Sequence, residues 1–167
     1  MEIDKALNYF CDLIDELPGI RSHRPPKGSG SSKGGWYFPL AHYAPEQLGG
    51  LSNKRFAEGG DCRSGCNKPL HIHSVFNNLD IYNQGRPTRE GNLPETMTVE
   101  QIQKSLAVSE TVNSRVIGLP AFKRFEKKYI EQCADAYRKV VENHTDLLED
   151  NSSGAEQGGY SASFAGR

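Results

Sequence analysis

Apolar residues recur at steps of three and four through the first segment of the chain: Ile3, Ala6, Leu7, Phe10, Leu13, Ile14 and Leu17. That spacing lines one face of a helix over 3–17, and such a face must be buried against something. Asp4 suits the N-cap of this helix, and Pro18-Gly19 suits its stop. Asp15 and Glu16 fall in the last turn. Negative charge there opposes the helix dipole, a penalty on the order of tenths of a kcal/mol that packing must outweigh. The same period returns between Phe125 and Leu148, at Tyr129, Ile130, Cys133, Ala134, Tyr137, Val140, Val141, His144 and Leu148. This predicts a second long helix.

Between the two helices the pattern is shorter and mostly extended. Residues 20–35 contain Pro25-Pro26 and a Gly/Ser cluster, which resist regular structure and predict a loop. Trp36 to Tyr43 is aromatic and β-prone, and Pro39 within it predicts an edge strand or one with a bulge. Glu46 to Gly50 reads as a turn. Ser52 then caps a short helix with Phe56 on its inner face, ended by Gly59-Gly60. After Cys62 comes a loop and a strand-like run, LHIHSVF, followed by an irregular Asn/Gly/Pro-rich stretch over 76–97. Thr98 is a candidate cap for a helix of one or two turns. A further short helix within 109–122 precedes RVIGLP, whose β-branched residues read as a buried strand ended by Pro120. The sum is an α+β domain over 1–149: two long helices on a small, mainly antiparallel sheet of three strands. The Gly/Ser-rich segment 150–167 is expected to be a disordered tail.

Bulk properties narrow the partners. Of 167 residues, 20 are basic and 21 acidic, giving a net charge of −1, so no broad attraction for nucleic acid or an anionic membrane is expected. No apolar run approaches the roughly 20 residues that span a bilayer. The N-terminal segment is acidic and amphipathic, unlike a secretory signal. A cytoplasmic protein with four reduced thiols is the expectation.

Candidate chemistry concentrates in CRSGCNKPLHIH. Cys62, Cys66, His71 and His73 are all metal-ligand types, and Cys62-x₃-Cys66 has a spacing that zinc sites use. Only four residues separate Cys66 from His71, however, and Pro69 stiffens the link. Cys66 with either histidine could also make a thiol nucleophile and its base. Cys11 and Cys133 fall on helices among apolar neighbours and read as core thiols. GSGSSKGG has glycines and a lysine without the spacing of a phosphate loop, and the basic residues of FKRFEKKY are interrupted by Glu126.

The flanks carry a more specific signal. DELPGIRSHRPP, then GGWYFPLAHYAPEQLGGLS-x₂-RF, then GCNKPLHIH-x₂-FNNLDIY, then LAVSE-x₄-RVIGLPAF and a helix with A-x-R-K-V follow one another over residues 5–148. In order and spacing this succession resembles the C-terminal part of the DegT/DnrJ/StrS-type aminotransferases, pyridoxal-phosphate enzymes that aminate keto-sugars. The resemblance implies the small C-terminal domain of a fold-type I enzyme, working as a homodimer in sugar-nucleotide and polysaccharide biosynthesis.

In that family the Schiff-base lysine and the acid that faces the pyridine nitrogen come from a large N-terminal domain. The resemblance therefore implies a chain without its cofactor domain, inactive alone, with no pyridoxal phosphate bound and with the missing domain or a second subunit as partner. Lys33 is the nearest imitation of a cofactor lysine, in the wrong loop context, so no catalytic or cofactor-binding residue is assigned. His71 matches the family's P-L-H, which makes His71, with His73 and Asn67 beside it, the substrate-cleft candidates. Two departures stand out: AEGGD follows RF directly, where the family runs a longer helix, and Asn67 stands near a position that carries histidine in many members. Two alternatives remain at this point. One is a stand-alone interaction module that uses an exposed apolar face of helix 3–17; the other is a small metal-binding module.

Overall fold

In the computed structural model, which describes residues 2–33, 36–73, 75, 78–85, 101, 104 and 106–149, the first amphipathic segment forms α1 (Glu2–Ile14). The second forms α4 (Lys127–Glu142). Their apolar stripes face one core: Ala6, Leu7, Phe10, Cys11 and Ile14 from α1, and Ile130, Ala134, Tyr137, Val140 and Val141 from α4, are buried. Phe10 sits edge-on to both Phe122 and Tyr137, with ring centroids 5.4 Å apart in each pair. Each such ring contributes about 1.5–3 kcal/mol by leaving water. The interaction-module alternative needed the apolar face of the first helix to be exposed. The fold corrects it, because this chain's own core fills that face.

The ends of α1 also differ from expectation. The helix begins at Glu2, so Asp4 lies within its first turn rather than at the cap. Its carboxylate accepts hydrogen bonds from Asn8 Nδ2 (3.1 Å) and Trp36 Nε1 (3.0 Å) instead. The helix stops at Ile14, which places Asp15 beyond it. There its carboxylate accepts the Ser22 N–H (2.6 Å), the Ser22 hydroxyl (2.8 Å) and Arg24 Nη2 (2.9 Å). The charge that looked unfavourable for the helix dipole ties the helix end to the sheet.

The sheet has four strands where three were expected: β1 (Ile20–Ser22), β2 (Leu40–Tyr43), β3 (Arg63–Ser64) and β4 (Val116–Gly118). Their order is β1-β2-β4-β3, every neighbouring pair antiparallel. β2 is internal rather than an edge. Pro39 precedes the strand, so its ring removes no donor from the ladder, while its carbonyl accepts the Leu119 N–H (2.8 Å). RVIGLP reads correctly: all three residues of β4 are buried.

Ser52 caps α2 (Asn53–Gly60) through its hydroxyl, which accepts the Arg55 N–H, and Phe56 is buried as expected. The two glycines do not end this helix; they lie inside it, and Asp61 in left-handed conformation closes it. A Cβ on Gly59 would stand 2.8 Å from Val140 Cγ2, so glycine there lets α2 approach α4 closely. Of the segment LHIHSVF, the described stretch Leu70–His73 is not a strand. With no described strand beside it, Leu70–Ile72 closes its hydrogen bonds locally as a single 3₁₀ turn, in which the His73 N–H reaches the Leu70 carbonyl. A short helix, α3 (Ala107–Thr111), follows. The Thr98 cap, most of the irregular stretch 76–97 and the tail 150–167 lie outside the described residues.

The fold is thus α+β, two long helices against a small antiparallel sheet. The described residues divide into two units, 2–66 with 114–149, and 67–113. Among the described residues no helix is long and apolar enough to cross a membrane.

Candidate functional site

Of the four metal-ligand candidates, Cys62 and Cys66 belong to the first unit and His71 and His73 to the 67–113 unit. Cys62 is packed against the core of the first unit beside the Tyr137 hydroxyl. Burial pushes its thiol up to about 11, which keeps it protonated at neutral pH. Burial likewise raises the Cys66 thiol above its ordinary value, which opposes the thiolate that a nucleophile requires. Cys11, expected in the core, is fully buried, and desolvation takes it to about 11 as well. Among the described residues no group of three or more His, Cys, Asp or Glu is arranged to hold a metal ion.

The substrate-cleft candidates Asn67, His71 and His73 fall within the 67–113 unit. The 3₁₀ turn after Pro69 presents His71, whose Nε2 lies 3.4 Å from Glu110 Oε1 on α3. That side chain is only 9 % exposed, so the turn and α3 hold it in place. His73 is half-buried and Asn67 exposed. His71 lies within the turn and His73 directly after it, so the two do not share the face of a strand. A histidine set against a glutamate can take or give a proton, provided a substrate reaches its second nitrogen.

A second constellation lies on the solvent face of β1 and β2. The antiparallel register sets Arg21 opposite His42. Both point away from the core, since Ile20, Ser22, Ala41 and Tyr43 on either side of them are buried. The His23 N–H extends the ladder to the Leu40 carbonyl, which returns the His23 ring to the face of Arg21. The two imidazoles meet nearly perpendicular, with centroids 3.8 Å apart. They line a groove of about 510 Å³ together with Arg21, Arg24, Lys27 and Asp15. An adjoining groove of about 420 Å³ shares Arg21, His42 and Asp15 and adds Arg115. Burial, then the neighbouring His42, Lys33 and Arg21, hold His23 below its ordinary value; burial and Arg21 do the same to His42. Sequence reasoning passed over these residues as loop and strand. The signal was present in the alternation of R-S-H and A-H-Y, but only the register shows that the two motifs share a face.

The group implied by the resemblance, pyridoxal phosphate, can be tested against this chain. It requires a lysine amine sheltered from water, where a depressed pKa makes it nucleophilic. The buried polar side chains among the described residues are Ser22 and Asn53, and no lysine is buried. Lys33 is exposed; its ammonium donates to the His23 carbonyl (2.7 Å) and lies over the Trp36 ring. The residues present do not fit a cofactor anchor, and no chemical step is derived through one. No family model and no curated protein sequence matches this chain.

Proposed function

We propose that this chain is the small C-terminal domain of a cytoplasmic pyridoxal-phosphate aminotransferase of the DegT/DnrJ/StrS type, the piece that closes over a keto-sugar rather than the piece that anchors the cofactor. The intact enzyme would move an amino group from glutamate or glutamine to the sugar, and this chain alone would be inactive. One observation carries the reading: the quoted motifs follow in family order, and three of them, I-R-S, L-A-H-Y and V-I-G, are consecutive strands of one antiparallel sheet. In this reading the electron sink of transamination would be supplied by another domain.

The test is reconstitution. The purified chain with added pyridoxal phosphate, glutamate and a keto-sugar should show neither turnover nor imine absorbance. Mixed with a separately expressed cofactor domain of this family, it should form a complex and turn over. Turnover by the chain alone, or no association with any cofactor domain of the family, would overturn the proposal.

A further inference from the structure

Among the described residues, the solvent face of β1 and β2 carries a cationic set in which no acid is left to pair with Arg21. Arg24 and Lys27 are committed: Arg24 Nη2 lies 2.7 Å from Asp12 Oδ1 and 2.9 Å from Asp15 Oδ2, and Lys27 Nζ lies 3.1 Å from Asp12. Asp15, the one acid among the described residues lining the groove, spends its two oxygens on Ser22 and Arg24. Arg115, in the adjoining groove, pairs with Glu46. Arg21 has no ion pair among the described residues, and it borders both grooves. Facing it are the two imidazoles, with Lys33 close to His23.

From this arrangement we infer that the groove binds a tetrahedral dianion, a phosphoryl or sulfuryl group, between the Arg21 guanidinium and the ring N–H groups of His23 and His42. A guanidinium offers paired donors to two oxygens of such a group, and an imidazole in either protonation state can donate to a third. The inference stands on the sheet register and does not rest on the aminotransferase reading. It carries a linkage with a fixed sign. Burial, and after it the positive neighbours, hold both rings below their ordinary value. A bound dianion supplies the missing negative charge, so the complex takes up protons and binding tightens as pH falls.

Sulfate is the probe of choice, because it stays a dianion throughout the range in which imidazoles titrate, whereas phosphate itself takes up a proton there. The ring resonances of His23 and His42 are followed by NMR from about pH 5 to pH 8, in sulfate and in chloride at matched ionic strength. Sulfate should raise both titrations above the chloride values. The substitution Arg21→Gln, at an exposed position, should weaken sulfate binding about tenfold or more. With no anion present it should also let both rings titrate higher, because a positive neighbour has gone. His42→Gln keeps His23 as a reporter and should weaken binding less.

Equal titrations in sulfate and chloride would overturn the inference, and so would sulfate binding undiminished by Arg21→Gln. Inorganic phosphate compared with phenyl phosphate then separates a free ion from the phosphoryl group of a larger ligand. Tighter binding of the ester assigns the rest of the groove to an organic moiety; tighter binding of the ion assigns an inorganic ligand. Binding of neither overturns the inference as surely as a failure with sulfate.

Discussion

The two units of this chain bury their apolar residues to very different degrees. In the unit formed by 2–66 and 114–149, Phe10, Tyr43, Phe56, Ile117, Ile130 and Tyr137 are all sealed from water. In the unit 67–113 none of the residues whose burial is described is buried, and Leu70 and Val108 stand 70 % and 79 % exposed. Both stretches contain apolar residues, so composition does not separate them. What separates them is periodicity. The first unit has two helices long enough to present a continuous stripe to one core, whereas the bounded elements among the described residues of the second are a 3₁₀ turn and a five-residue helix, each too short for such a stripe. The first unit supplies stability. The second leaves Leu70 and Val108 largely in water.

The sharpest way to break that contrast is to truncate one large side chain in each unit. Phe10→Ala empties a site closed on two sides by Phe122 and Tyr137, and it should cost about 3–5 kcal/mol. Leu70→Ala removes atoms already in water and should stay within about 0.5 kcal/mol of the parent. Urea denaturation of the two variants decides it. Comparable losses would mean that Leu70 is buried in solution and that the second unit has a core of its own.

A middle-sized effect belongs to Asp15, which joins the end of α1 to the first strand. Asp15→Asn is nearly isosteric but turns an amide toward donors that need an acceptor. Two hydrogen bonds to a charged oxygen weaken, together with the ion pair to Arg24, at an expected cost of about 1.5–3 kcal/mol. The same denaturation curves give the value. Asp12→Asn, on the exposed rim of the same cluster, should cost well under half as much. Equal costs would show that Arg24, rather than the Ser22 contacts, is the seat of the effect.

How far the sequence revealed all this follows from the range of each interaction. The two long helices, the Ser52 cap and the buried strand at Val116 were legible because each rests on residues within a turn or two of one another. The internal place of β2 was not, because Pro39 looks like an edge signal until one sees that it precedes the ladder. Gly59-Gly60 looked like a terminator, since the need for α2 to approach Val140 is invisible without α4. The cysteine and histidine run drew attention by its density, yet burial makes Cys62 a core thiol. The groove of Arg21, His23 and His42 drew none, because its parts lie about twenty residues apart and only strand pairing joins them.

That pairing also predicts the smallest effect, one confined to a pH window. His23 and His42 both titrate below their unfolded value in the native state. The unfolded chain therefore binds protons that the native chain refuses, so stability is intact above about pH 6.5 and declines as pH falls toward the native values. Both rings have access to water, which keeps the loss modest. Asp12 is the main competing influence. Burial raises it, but the hydrogen bonds from Arg24 and Lys27 outweigh burial and hold it below the ordinary carboxylate value. Its contribution is lost only below about pH 4, outside the histidine window. The urea midpoint should thus drop between about pH 7.5 and pH 5.5 in the parent, and His23→Gln/His42→Gln should flatten that drop. An unchanged slope in the double variant would place the titrating group elsewhere. Sulfate supplies the last discrimination: if the groove takes a dianion, sulfate should abolish the parent's slope and leave the double variant's unaltered, because only in the parent does it reward the protonated rings.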